Sequence, residues 1–287
     1  MATRLRFTGT GTGTHYIDLA KAMSAFHRRM HRSGRYYNVV GGYMIDSNSN
    51  SRVDFSTAPD HWVCKTAYKR GFRLWKKQRA KIIQDSEVQS VVPKYADFKV
   101  FLNNSHGGGP LMPVDANDTV LVGGEYQYSD LRDFENNDEF ELQLVGPHSG
   151  SAGARTRVGL IQSWFDSRPL PNTSPGGDQN PGADPDDDPL VNLFADAAGY
   201  QDQLDEIENE NDLPPYALDT AMGNQDPSGG QGKNLQRKAT AKLAVGGPGL
   251  TYIPSFGAMC GLVEMDVVEA TGSWEIVLDI EVGGKIL

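Results

Sequence analysis

Cysteine is scarce in this chain: Cys64 and Cys260 are the only two in 287 residues. No C-x-x-C pair exists, so the sequence offers neither a zinc ribbon nor a dithiol redox centre. Far apart in sequence, the two cysteines read as free thiols made in a reducing compartment. Long apolar runs are missing too. No window of 18 apolar residues occurs, which excludes a membrane-spanning helix. The opening MATRLRFTGTGTGTHY has neither an apolar core nor a cleavage site, so no secretory signal is expected.

Catalytic and cofactor signatures are absent as well. Histidines 15, 27, 31, 61, 106 and 148 are scattered. His27 and His31 have the four-residue spacing of a helical metal clasp, but their arginine neighbours would repel a cation, and they read as solvated surface histidines. Gly9, Gly11 and Gly13 alternate without the spacing or the preceding strand of a dinucleotide fingerprint, so they read as a mobile arm. Gly146-Pro147-His148-Ser149-Gly150-Ser151 holds hydrolase residue types but no G-x-S-x-G elbow. The cluster Asp184, Asp186, Asp187 and Asp188 lacks the D-x-D-x-D-G calcium pattern and reads as a solvated acidic tip, with Ca²⁺ shared at acidic subunit contacts as the alternative.

What the chain does have is a lopsided charge. Residues 1–90 hold 16 Lys+Arg against 6 Asp+Glu, a net of +10, whereas the remainder carries −20 and the whole −10. One surface is therefore fit to hold a polyanion while the rest repels it. Two helices carry the positive charge. The first is expected from an N-cap at Thr14 to about Ser33, with Arg28, Arg29 and Arg32 at its end and Arg35 just beyond. The second is expected over about 60–84 with Asp60 as N-cap. In it Lys65, Lys69, Arg73, Lys77 and Lys81 recur every fourth residue, and Arg70, Lys76 and Arg79 widen the stripe. Apart from Asp85, four residues after Lys81, no acid at i±4 balances these cations. Trp62, Tyr68 and Trp75 are interleaved and read as core anchors, with stacking on bases as the alternative.

The remaining pattern is β. A strand is expected over Tyr36–Met44, and after residue 90 the candidates are Phe98–Leu102, Thr119–Val122, Phe140–Val145, Arg157–Trp164, Ala239–Val245, Met259–Val268 and Trp274–Val282. In the last, Trp274, Ile276, Leu278, Ile280 and Val282 share one face, and Glu269–Ser273 is expected to fold it onto its neighbour as a hairpin. Strands without intervening helices read as an antiparallel sandwich or barrel. Residues 168–190, rich in Pro, Gly and Asp, are expected as an exposed loop, followed by an acidic segment that ends at Leu213-Pro214-Pro215-Tyr216.

Three segments, taken in order, resemble the capsid proteins of small circular single-stranded DNA viruses, a group known mostly from environmental sequencing. They are Thr57–Trp62 with Ala67–Trp75, then Asn209–Tyr216 (NENDLPPY), and finally Cys260–Glu264 with the Trp274–Gly283 strand. The resemblance implies a mainly β, single jelly-roll subunit: an arm and basic helix over 1–35, then a shell domain over 36–287 with an acidic insertion over about 168–232. It further implies self-assembly into an icosahedral shell around nucleic acid, expected to be single-stranded DNA. The protein would be made in the host cell interior, would reside in the virion, and would be neither an enzyme nor membrane-bound. Many such proteins begin with a long basic arm, whereas only Arg4 and Arg6 precede the first helix here. Genome contact is therefore assigned to Arg28, Arg29, Arg32, Arg35, Lys65, Lys69, Arg70, Arg73, Lys76, Lys77, Arg79 and Lys81. Two rival readings are a single-stranded nucleic-acid-binding β protein that forms no shell, and an enzyme or carbohydrate-binding module on a β sandwich.

Overall fold

The computed structural model describes residues 2–46, 51–85, 95–133, 138–151, 154–166, 235–244, 249–270 and 272–286. Packing divides the chain into two units, Met1–Trp164 with Asp219–Leu287, and Phe165–Leu218. The acidic tip, the Pro-rich loop and the 209–216 segment lie outside the described residues.

The strands of the first unit are β1 (Thr3–Thr10), β2 (Gly13–Asp18), β3 (Arg35–Asp46), β4 (Arg52–Thr57), β5 (Asp130–Asp133), β6 (Asp138–Gln143), β7 (Ser149–Ser151), β8 (Ala154–Gly159), β9 (Gln236–Lys242), β10 (Leu250–Ile253), β11 (Phe256–Met259), β12 (Leu262–Val268) and β13 (Ser273–Lys285). The helices are α1 (Leu19–His27), α2 (Trp62–Asp85) and α3 (Leu160–Asp166). The protein is mainly β, with antiparallel sheets in a sandwich-like arrangement. One sheet runs β1-β13-β3-β10, with β11 also on β3, and a second runs β2-β12-β4-β9. A third, small sheet runs β5-β6-β8-β7 and contains one parallel pair, β6 with β8.

Period-2 alternation builds the core. Leu5 and Phe7 of β1, Tyr37 and Val39 of β3, and Trp274, Ile276, Leu278 and Ile280 of β13 are buried in one sheet. Ile17 of β2, Val53 and Phe55 of β4, and Val263, Met265 and Val267 of β12 are buried in the other, and all belong to one cluster. Phe55 stacks on Phe256 across the two sheets at 5.3 Å between ring centroids. Some intervening residues, such as Arg4 and Lys242, are exposed, whereas Tyr16, Asp54, Glu264 and Val277 are buried. Both cysteines are buried and free, as expected, and burial pushes the Cys64 thiol up to about 12.

Several expectations are overturned. The Gly-Thr lead-in is no arm: β1 pairs with β13 from Thr3↔Ile280 to Thr10↔Ser273. Gly9 is needed there because a Cβ would sit 2.2 Å from the buried ring of Trp274, whose Nε1–H donates to Gly11 O at 3.0 Å. Arg4 grips Asp279 with two hydrogen bonds of 2.8 Å, and Arg6 bonds Asp118 at 2.5 Å and lies 3.6 Å from Glu275. The first helix begins at Leu19, capped by Asp18 accepting from Lys21 N–H, because Thr14 belongs to β2. It ends at Arg28, which turns left-handed at φ 50°. Asp60 does not cap α2; it accepts instead from Lys65 Nζ at 2.8 Å and Tyr36 OH at 2.7 Å.

The C-terminal turn also differs from expectation. β12 and β13 lie in different sheets, so Glu269–Ser273 carries the chain across the sandwich instead of closing a hairpin. Val282 falls where β13 outruns the core and is exposed. Phe98–Leu102 and Thr119–Val122 are extended chain with isolated bridges only. Arg157–Trp164 splits at Gly159, where a Cβ would meet Gly146 O at 2.2 Å, and continues as α3. Met259–Val268 splits at Cys260-Gly261, both at positive φ. The strand β4 follows the turn-rich stretch DSNSNS and is not foreseen from the residues.

Gly9→Val is expected to destabilise the fold by about 1–3 kcal/mol through overpacking against Trp274. Urea unfolding reads this as a lower midpoint at unchanged slope. Thr8→Val, on the outer face, is expected to stay within about 0.5 kcal/mol of the parent. Equal midpoints for the two variants would contradict the packing described.

Candidate nucleic-acid interface

Residues 58–235 lie between β4 and β9, which pair directly with each other. The sandwich therefore does not need this insertion for its own ladder, and the insertion carries the basic helix. α2 has 24 residues and so spans roughly 36 Å. Val63, Cys64, Ala67, Tyr68 and Gly71 make its buried side. Gly71 permits the close approach, since a Cβ there would meet Leu160 at 2.8 Å and Phe98 at 3.2 Å. Tyr68 OH donates to Phe98 O at 3.2 Å, and Phe98 also meets Phe72 and Trp75.

Opposite that side, Lys69, Arg70, Arg73, Lys76, Lys77 and Lys81 are all exposed. At 3.6 residues per turn these six fall within an arc of roughly 140°. Among the described residues, Lys69, Arg70, Arg73, Lys76 and Lys77 have no ion pair. The other two cations of the helix are held. Lys65 pairs with Asp60 and sits 5.7 Å over the Tyr36 ring, and Arg79 lies 5.6 Å over Trp75. Of the interleaved aromatics, Tyr68 is fully buried and cannot stack on a base. Trp75 packs on Phe98, and Trp62, 40% exposed, meets Trp164 edge-on at 5.4 Å.

The upstream cluster is less uniform. Arg28 and Arg29 are exposed, and Arg29 donates to His31 at 3.3 Å. Arg32 is tied to Ala96 O at 2.6 Å and lies 3.7 Å from Asp97, and Arg35 is half-buried. His31 is not a solvated surface residue, whereas His27 is partly exposed. Their rings meet at 2.9 Å, and His31 is buried because its N–H donates to Ser24 Oγ, folding the chain under the helix end. Burial, with Arg29 adjacent, draws His31 down to about 4. Residues 95–99 touch both clusters: Asp97 accepts from Ser33 N–H on the α1 side, while Phe98 packs under α2.

A buried polar chain, not foreseen from the residues, anchors this insertion to the sandwich. Leu102 N–H donates to His106 Nδ1 at 3.1 Å, which leaves the ring proton on Nε2, 3.4 Å from Tyr128 OH. Tyr128 in turn donates to Asp18 at 3.2 Å. Tyr16 stacks on His106 and donates to buried Glu264 at 2.8 Å. Burial, with Arg157 and Lys21 adding repulsion, takes His106 down to about 3. Burial pushes Asp18 up despite its hydrogen bonds. No signal in a single sequence distinguishes these partners from surface polar residues.

No protein-family model, curated protein or solved structure matches the chain. The arrangement must therefore be read from its chemistry. Among the described residues no helix is long and apolar enough to cross a membrane, and no three His, Cys, Asp or Glu side chains gather as a metal site. An array of five unpaired cations about 120° wide on a rigid rod is suited to a phosphate backbone, without base-specific contacts.

The buried imidazole gives a pH dependence. His106 has a lower pKa folded than unfolded, so the unfolded chain takes up its proton first as pH falls. Its contribution is whole above pH 6.5 and is lost progressively between 6.5 and about 3. The raised Asp18 acts in the opposite direction, so the histidine is isolated by comparison with His106→Asn, which keeps an acceptor for Leu102 N–H. Urea titrations from pH 7 to 3 are expected to show the variant gaining on the parent by on the order of 4 kcal/mol. Parallel stability curves would contradict the assignment.

Proposed function

We propose that the chain is a single jelly-roll coat subunit of a small circular single-stranded DNA virus, assembling into an icosahedral shell and holding the genome through the exposed face of α2. The observation that carries this reading is the strand order. Leaving aside the small third sheet and counting β10 with β11 as one, the eight sandwich strands fall as 1-8-3-6 in one sheet and 2-7-4-5 in the other. This order fits the double Greek key of a jelly roll and so supports the reading; that architecture is used by many viral coats and also by lectins and cupins. The unpaired cations of α2 favour the coat reading over the other two, since neither sugar nor small-molecule binding calls for such an array.

In this reading the subunit is structural and catalyses nothing. Contacts between copies would bury about 1,200–2,000 Å² each, with closure by symmetry. The protein would be made in the host cell interior and would end in the virion.

The triple variant Lys69→Glu, Arg73→Glu and Lys77→Glu tests the reading together with the parent. Sedimentation and light scattering of the purified parent are expected to show uniform closed particles with nucleic acid absorbance. The variant is expected to keep its fold but to lose most of the packaged nucleic acid. With (dT)20 in titration, the slope of log K against log salt is expected to fall by about 2, from about 0.7 per lost phosphate contact. Monomers of the parent across pH and salt would overturn the shell reading and leave a non-assembling nucleic-acid binder. An unchanged slope would overturn the role of α2.

A further inference from the structure

Four strands lie at the edges of the two main sheets: β1 and β10 in one, β2 and β9 in the other. An unpaired edge offers a row of N–H and C=O groups to any strand that approaches, and natural proteins cover such edges or charge them. Three of the four are protected here. Val114 N–H donates to Arg6 O of β1 at 2.8 Å, and Leu111 N–H donates to Tyr16 O of β2 at 2.6 Å, so one segment covers both edges on that side of the sandwich. β9 carries Arg237, Lys238 and Lys242, all exposed, as guards. β10, with the sequence LTYI, has neither cover nor charge among the described residues.

The face beside this edge is apolar. Leu250 and Tyr252 stand opposite Ile45 and Tyr43 of β3, and Val277 of β13 continues the row. Tyr252 is 77% exposed, and Leu250, Ile45 and Val40 are exposed beside it. Together they offer a few hundred Å² of apolar surface, the size at which a patch on a monomer is commonly functional. Charge decides what fits there. Each copy carries a net −10, so two copies repel except where they meet through a face without charge. Residues 38–45 and 250–253 contain no Lys, Arg, Asp or Glu. Two copies meeting at β9 would instead set the same cations against each other. The neutral edge therefore suits an identical partner.

We infer that β10 pairs antiparallel with β10 of a second copy across a two-fold axis, joining the β1-β13-β3-β10 sheets of both copies into one. Opposite residues of an antiparallel pair share a face. Leu250 then stands against Tyr252 of the second copy, and the two copies of Thr251 meet on the axis. Two such patches bury less area than the roughly 1,200–2,000 Å² of a standard interface. The pairing is thus one contact among several, and its place in a closed particle rests on the shell reading, whereas the pairing itself does not.

Cross-linking of the purified full chain tests it. Thr251→Cys sets two thiols on the axis at a Cα separation of about 4.5–5.5 Å, within disulfide reach. With oxidised glutathione it is expected to give roughly tenfold or more covalent dimer than Lys242→Cys on the β9 edge, because a held pair reacts at a higher effective concentration. Cys64 and Cys260 are buried and form the shared background. Adding Tyr252→Lys guards β10 as β9 is guarded, and is expected to cut the dimer to the level of Lys242→Cys. Thermal melting checks each fold, and Leu250→Lys takes the place of a Tyr252→Lys chain that melts early. Equal dimer from Thr251→Cys and Lys242→Cys overturns the proposal. So does a Thr251→Cys chain that stays monomeric when pure and cross-links only to another protein in cell extract, since the edge then serves a different partner. Light scattering separates this contact from the shell. A parent that forms no particles, with the Tyr252-sensitive dimer retained, overturns the shell alone; particles without that dimer overturn the contact alone.

Discussion

The pairing of the first strand with the last holds this molecule together. β13 lies between β1 and β3, so residues 273–285 complete a ladder that starts at residue 3. Four of its side chains, Trp274, Ile276, Leu278 and Ile280, fill the space facing the second sheet. Without this strand β1 would keep only the isolated bridge of Arg6 to Val114, and β3 would lose its partner on one edge. The close fit of Gly9 against Trp274 fixes the register, because a slip of one residue would turn every core side chain outward. Contacts this distant in sequence are slow to form.

Such a closed frame leaves the insertion between β4 and β9 free to carry something else. There the chain builds α2, the small third sheet and α3, all tied back by aromatic packing on Phe98 and by the His106–Tyr128–Asp18 chain. The exposed cations of α2 are therefore presented on a rigid support. Their mutual repulsion is tolerated because water and salt screen it, and a bound polyanion would relieve it.

Much of this was legible from the residues. The alternation Trp274, Ile276, Leu278, Ile280 announces a half-buried strand, and the fourfold recurrence of lysine and arginine in 65–81 announces a helix with a basic face. Less legible were the places where topology decides. TGTGTGT has glycines that suggest mobility, yet Gly9 is there to admit a tryptophan from the other end of the chain. Glu269–Ser273 has turn residues, but whether a turn closes a hairpin or crosses a sandwich depends on the partners of both strands. Lys65 and Arg32 belong to the basic runs by sequence and are neutralised by Asp60 and Asp97 in space.

The central claim is that a closed β frame turns its cationic helix toward an enclosed nucleic acid. Electron cryomicroscopy of particles purified from expressing cells tests it most directly. The account predicts a closed shell in which Lys69, Arg73 and Lys77 line the inner surface against nucleic acid density. A shell with those residues on its outer skin would contradict it.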